Sequence, residues 1–347
     1  AYGLDDVDEI GGPRASARVL SHMTATWEAA GVWQAYRADY EERFRDKPHM
    51  VRPSPLGLGH YADVYVGQRA RQYIADYNLD KPWCCWVSFG GPHEPWDAPE
   101  PFASLCDPAA MPAARRMPEG AAGRPLGELD RMLESAPNPA PEEIATMRAN
   151  YAGNIALIDE QIGDIFAAIK ERGEWENTVV VLVSDHGEMN GDAGLIYKSN
   201  FLDGALRVPL VVRTPGMVGG AVSDALVEWI DIGPTLIELA GGVVDYPQFA
   251  RSLYPVLERP QIEHRPTAIA ELAGEIMLLD REWKAALNSA GQLYLLFDVK
   301  NDPEEEMNLA GRPEMAPVED ALRLRLLEHL VSTQLQGAIY RCDLHGN

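Results

Sequence analysis

The sequence predicts an α/β protein. A largely parallel or mixed sheet flanked by helices spans residues 1–260, and a smaller C-terminal α+β subdomain with an antiparallel sheet spans 261–347. Three observations carry this. Apolar runs of strand length without polar alternation stand at 82–90 (PWCCWVSFG), 179–183 (VVVLV) and 208–213 (VPLVVR), as strands buried on both faces require. Helical periodicity separates the first two, which is strand–helix–strand order. From about residue 262 the texture shifts to short pieces, TAIAEL, IMLLD, EWKAALN and LYLLFDV, the pattern of a small antiparallel sheet.

Taken in order, residues 1–80 open with aromatic-rich pieces broken by Pro and Gly, then give ADVYVGQRARQYIADY. There Val64, Val66, Ala70 and Ile74 recur at helical spacing, with Tyr73 and Tyr77 extending the face. The strand at 82–90 stops at GGPHEPWDAPEPF, and 106–140, rich in Pro, Ala and Gly, reads as a long surface excursion. Pro141 followed by Glu142 and Glu143 starts a helix. Ile144, Met147, Tyr151, Ile155, Ile158, Ile162, Ile165 and Ile169 form its apolar stripe, and Gly173 ends it. After the strand at 208–213, DIGPTLIELAGG reads as a helix with Asp231 as N-cap and Gly241 as stop. ALRLRLLEHLVSTQL is a closing amphipathic helix.

A chain of 347 residues with net charge −23 is long enough for a large core and is poorly suited to sequence-independent contact with nucleic acid or an anionic membrane surface. Most of its acids read as a solvated surface, so an anionic ligand needs a locally positive site, which a bound cation would supply. Cys84, Cys85, Cys106 and Cys342 lack zinc-site spacing and form no disulfide framework. No run of 18 apolar residues exists. The start, AYGLDDVDEIGG, carries no signal-peptide pattern and reads either as a processed end or as the interior of a longer protein.

Ligands of open α/β sheets gather beyond the carboxyl ends of strands. Two strands end in polar clusters, at Gly91-Pro92-His93 and at Ser184-Asp185-His186-Gly187. Asp185 offers a hard oxygen and His186 a borderline nitrogen, so the pair either holds a divalent cation or forms a polar turn, with Gly187 breaking the strand. His93, stiffened by Pro92 and Pro95, is a candidate proton donor or an ordinary turn residue. Lys198 follows a Gly-rich loop and by itself reads as a surface lysine. Trp96 and Asn200 are candidate pocket residues by adjacency alone.

The segment NTVVVLVSDHGEMNGDAGLIYKSNFLDGALRVPLVVRTPG, residues 177–216, resembles the second signature of the sulfatases of the alkaline phosphatase superfamily. In the same order, SFGGPHEPWDAPEPF resembles the family's Pro-His-x-Pro loop, DIGPTLIELAG the following helix, and LYLLFDVKNDPEEEMNLA the C-terminal Asp-Pro-x-Glu…Asn-Leu-Ala ending. The likeness runs over residues 60–310 and implies an alkaline phosphatase-like fold. It implies that Asp185 and His186 are metal ligands, with calcium the first expectation and manganese or zinc the alternatives. It makes His93 and Lys198 the catalytic groups on the oxygens of a small anionic ester. Sulfate ester hydrolysis is the expected activity, with phosphonate monoester or phosphodiester hydrolysis as the alternative.

Two family features have no match in place. The formylglycine nucleophile arises from Cys/Ser-x-Pro-x-Arg, and the nearest approach, Cys106-Asp107-Pro108-Ala109-Ala110, lacks the Arg and follows the His93 loop. The Asp-Asp metal pair has no counterpart either, since Asp5-Asp6 follows no apolar strand. The expectation is that an N-terminal segment, in cis or as a separate chain, carries both. This chain alone would then be inactive, as would a non-catalytic fragment or binding module. Compartment, cytoplasm or periplasm, and oligomeric state stay open.

Overall fold

The computed structural model describes residues 3–47, 49–120, 126–217, 219–246 and 248–344. Its helices are α1 (Pro13–Ser16), α2 (His22–Ala29), α3 (Trp33–Asp46), α4 (Ala62–Asp76), α5 (Glu128–Glu134), α6 (Pro141–Glu171), α7 (Asp203–Leu206), α8 (Ile232–Leu239), α9 (Tyr254–Glu258) and α10 (Ala316–Leu344). The strands are β1 (Val180–Val183), β2 (Leu210–Arg213), β3 (Ala268–Leu272), β4 (Glu275–Leu279), β5 (Trp283–Leu287) and β6 (Leu293–Asp298). The chain forms two compact units, residues 1–114 with 137–178, and residues 115–136 with 179–347.

In the first unit α4 and α6 pack through Ala70, Ile74, Ile165, Ala168 and Ile169. A second cluster gathers Trp27, Trp33, Tyr36, Tyr40, Tyr61, Val64 and Leu157. The predicted helices are there, and Ile144, Met147, Ile165 and Ile169 of the α6 stripe are buried as apolar spacing indicates, but the buried face is not purely apolar. Ile155 is exposed, whereas Asn150, Asn154 and Gln161 are buried beside Ile144, Met147, Leu157 and Ile165. Polar residues occupy helical core positions here, Asn150 accepting the Ala98 amide and Asn154 meeting Asp63. The expected strand at 82–90 is also corrected: its burial alternates, with Trp83, Cys85, Val87 and Phe89 half-buried and Cys84, Trp86 and Ser88 exposed, but it joins no ladder among the described residues. It is an extended segment laid on the helices, its inward face touching the α4–α6 cluster.

In the second unit β1 and β2 pair antiparallel, from Val180 opposite Arg213 to Val183 opposite Leu210. The α/β class holds, but the parallel pairing expected of successive strands is absent among the described residues. The connection between them, 184–209, contains only a 3-10 turn at Asp192–Gly194 and the single turn α7, and returns the chain alongside β1 instead of crossing over. Neither strand is fully buried, and Leu182 and Val211 are exposed register partners. The four-stranded antiparallel sheet β3-β4-β5-β6 forms as expected. One face carries Ile276, Leu278, Ala285, Leu287, Leu293 and Leu296 against Leu322 and Leu326 of α10. The other presents Met277, Ala286, Leu295 and Phe297 to Met189, Leu195, Phe201 and Leu202 of the β1–β2 connection.

Leu126 and Leu129 join that second core, so part of the excursion at 106–140 is buried, and its residues 121–125 lie outside the described set. Asp231 starts α8 without capping it: its carboxylate accepts the amides of Glu228 and Arg251 and faces Arg265 and His264. Cys84, Cys85 and Cys106 are free thiols, and the Cys342 side chain lies outside the described residues.

Two glycines of α6 give opposite expectations. A Cβ at Gly153 would stand 2.2 Å from the Phe102 carbonyl oxygen, while one at exposed Gly163 meets nothing within 4 Å. Gly153→Ala should cost about 1–3 kcal/mol, since backbone must move. Gly163→Ala should gain about 0.5–1 kcal/mol from reduced chain entropy. Urea unfolding of the two variants reads both, and equal midpoints would contradict the packing described.

Candidate active site

His93 belongs to the first unit. Gly90 and Gly91 both donate their amides to Asp63 Oδ1 at 2.9 Å, which fixes the loop just before it. Asp63 is 2% exposed; burial pushes its carboxyl up, and the Gly91 and Gly90 amides and the Asn154 side chain pull it back without cancelling the rise. The His93 amide donates to the Gly90 carbonyl, and Nδ1 lies 3.1 Å from the Glu94 carbonyl and 2.7 Å from Glu94 Oε2. His93 lines an open cleft of about 470 Å³ with Asp63, Asp97, Trp27, Tyr36 and Tyr61. Sequence spacing did not single out Asp63, Asn154, Asp97 or Glu94. Asp63 lies in the first turn of α4, where an acid is ordinary, and Asn154 is a polar residue on the buried face of α6.

Asp185, His186 and Lys198 belong to the second unit, in the β1–β2 connection. Ser184 Oγ donates to the His186 carbonyl at 2.7 Å, and the His186 amide donates to Asp185 Oδ1 at 2.9 Å, so the strand breaks into a tight turn. His186 Nδ1 stands 2.9 Å from the Gly187 carbonyl, a contact that requires Nδ1–H and makes Nε2 the acceptor nitrogen of the neutral ring. Nε2 and Asp185 Oδ2 are 3.6 Å apart. Gly187 donates to the Ala205 carbonyl at 2.8 Å, and a Cβ on it would fall 2.1 Å from Gly204 O. Only glycine fits that crossing.

The loop then doubles back. Met189 donates to the Tyr197 carbonyl at 2.8 Å, and Glu188 Oε1 accepts the amides of Asn190 and Tyr197. This returns Lys198 to the start of the connection. Tyr197 and Ser199, its neighbours on either side, have φ of 73° and 81°, and Asn190 and Ala193 are also left-handed. Such backbone costs about 1 kcal/mol or more per residue and persists only where surroundings over-determine it. Asn200 is 4% exposed and its Oδ1 accepts the Leu202 amide, while Trp96 is 2% exposed, so both are packing residues in this structure.

An aspartate oxygen and an imidazole nitrogen whose tautomer is set by a backbone carbonyl are a donor set suited to a divalent cation. Among the described residues no group of three or more His, Cys, Asp or Glu side chains converges as a metal site. Asp185 and His186 offer two such donors.

The family model for Sulfatase matches residues 21–243. The chain belongs to the sulfatase family, whose members generally bind a divalent metal. It is 29% identical over 301 residues to a multifunctional alkaline phosphatase superfamily protein of Trinickia caryophylli, covering 76% of this chain and 58% of that protein. It is 31% identical over 258 residues to the choline-sulfatase of Rhizobium meliloti, covering 70% of this chain and 48% of the relative. The chain thus spans about half the length of these two curated relatives. The crystal structure of a phosphonate monoester hydrolase of Agrobacterium radiobacter superimposes with a TM-score of 0.69 at 27% identity, covering 91% of this chain and 70% of that one. The fold is that of the alkaline phosphatase-like sulfatases. No helix among the described residues is long and apolar enough to cross a membrane.

Asp97 supplies a pH signature for the first unit. It is 3% exposed, and burial raises its carboxyl to about 6 against the opposing pull of Arg43, 3.8 Å away. Between pH 3.8 and about 6 the folded chain holds a proton that the unfolded chain has released. Stability therefore falls as pH rises through that window, by about 3 kcal/mol. Asp97→Asn should flatten this slope in urea midpoints taken from pH 4 to 7. Parallel profiles for variant and wild type would show that Asp97 does not titrate there.

Proposed function

We propose that this polypeptide supplies one wall of a site for metal-assisted hydrolysis of small anionic esters, with sulfate esters as substrate class. The observation that carries the reading is the Asp185–His186 pair at the end of β1, with Oδ2 and Nε2 3.6 Å apart and Nδ1 committed to the Gly187 carbonyl. Asp185 and His186 would hold the divalent cation, calcium in the first instance and manganese or zinc otherwise. That cation, when bound, neutralises ester oxygens as negative charge develops.

Lys198 brings an ammonium to the same oxygens from a backbone held by strained neighbours, so it need not reorganise during the reaction. His93, in contact with the Glu94 carboxylate, is by itself a group suited to proton transfer. The nucleophile and remaining carboxylates would come from polypeptide outside these 347 residues, in cis or as a separate chain. Phosphonate monoester hydrolysis is the second reading, favoured by the fold match and identity to the Agrobacterium radiobacter enzyme.

Turnover of an aryl sulfate and an aryl phosphonate ester, measured on protein that includes the nucleophile-bearing segment, separates the two. Lys198→Ala should lower kcat by roughly 10²–10³-fold, the scale of losing one preorganised oxyanion partner. His186→Ala should abolish turnover at limiting metal. Wild-type rates in both variants would remove the roles given to Lys198 and His186, and no hydrolysis of either ester by the unmodified protein would remove the hydrolase reading in favour of a binding module.

A further inference from the structure

β5 carries a lysine where its neighbours are apolar. Lys284 is 1% exposed and shares with Ala286 the face of the sheet that meets the β1–β2 connection. A buried ammonium costs several kcal/mol unless carboxylates surround it. Lys284 Nζ donates to Asp203 Oδ1 at 2.9 Å and to Glu305 Oε1, while the Asp203 amide donates to Glu305 Oε2 at 3.0 Å. Burial alone would push Asp203 up, yet Lys284 holds it below the usual carboxylate range, whereas Glu305 stays raised by burial. The cation and two carboxylates thus clamp the first residue of α7.

We infer that Lys284 is a positioning residue for His186, acting through α7 and Gly187. The inference rests on the reading of His186 as a metal ligand. The path is short and each link is a contact. Lys284 and Glu305 hold Asp203; the turn Asp203–Leu206 presents the Ala205 carbonyl to the Gly187 amide at 2.8 Å; and the Gly204 carbonyl closes against Gly187 where no Cβ fits. The Gly187 peptide so fixed aims its own carbonyl at His186 Nδ1. The β1–β2 ladder cannot do this, because its register ends at Val183 opposite Leu210. An outer carbonyl that sets an imidazole tautomer sets which nitrogen faces a metal.

The test uses the full chain labelled with ¹⁵N-histidine and ¹⁵N-glycine, with His186→Gln and Gly187→Ala spectra assigning the signals. In the wild type, long-range ¹H–¹⁵N correlations should give His186 as the Nδ1–H tautomer, and the Gly187 amide should be protected from exchange. Lys284→Met should shift His186 toward mixed tautomers and speed Gly187 exchange roughly tenfold, about 1.4 kcal/mol of local opening. The β5–β6 ladder amides should keep their protection, which a merely structural loss would not allow. Should the single variant fail to fold, Asp203→Asn/Lys284→Met/Glu305→Gln removes all three charges together, leaves none unpaired, and should give the same two changes.

A folded variant with wild-type tautomer and wild-type Gly187 exchange overturns the inference, as does a wild type without the Nδ1–H form. Adding Mn²⁺ to the wild type tests the underlying reading separately. Selective broadening of the His186 ring signals supports ligation, and unchanged signals remove the metal-ligand reading while the tautomer comparison still decides the positioning.

Discussion

Most of what positions the candidate groups is loop, and a buried loop amide without a ladder partner loses about 1–3 kcal/mol unless it finds an acceptor. In this chain carboxylates fill that need at one junction after another. Asp63 takes the amides of Gly90 and Gly91, Asp231 those of Glu228 and Arg251, Glu188 those of Asn190 and Tyr197, and Glu305 that of Asp203. Glu275, 4% exposed, takes the Glu128 amide and the Tyr294 hydroxyl. A charged acceptor makes a stronger bond than a neutral one, but only if its own desolvation is offset by several donors or a cation. Each of these sites supplies several donors or a cation, although at Asp63 and Glu305 burial still outweighs them.

This division of labour explains which features were legible beforehand. Helices α4 and α6, the C-terminal sheet and the Asp185-His186 turn announce themselves through periodicity and through the ordered motifs of the 177–216 segment. Asp63, Asp203 and Glu305 do not, and Asp231 announces itself only as a helix start, because composition places a carboxylate in solvent by default and burial of a charge depends on partners distant in sequence. Asp203 and Glu305 are 102 positions apart, and Asp203 and Lys284 81. The same holds for Asn150, Asn154 and Gln161, core residues of α6 whose polarity hides them from an apolar count. The segment at 82–90 illustrates the converse. Its continuous apolar run is that of a buried strand, but a ladder is a property of two segments, and composition in one cannot supply the other.

The C-terminal sheet does more than close the fold. Its register puts Ile276, Leu278, Ala285 and Leu296 toward α10 and Met277, Ala286, Leu295 and Phe297 toward the connection that bears Asp185, His186 and Lys198. A connection of this length with almost no regular structure would sample many conformations by itself. Met189, Leu195, Phe201 and Leu202 convert it into a layer of core, each contributing about 1.5–3 kcal/mol if fully buried. The polar turn at its start can then remain exposed, since its backbone is fixed from beneath.

That arrangement accounts for the concentration of left-handed residues at Asn190, Ala193, Tyr197 and Ser199. Each departs from what its side chain prefers, and four such residues within ten positions would together cost several kcal/mol. Two kinds of contact oppose the cost. Glu188 and Asp192 accept loop amides, and Leu195 and Ala193 are buried against the sheet-side core. A lysine held between two such residues keeps its backbone direction without a ligand.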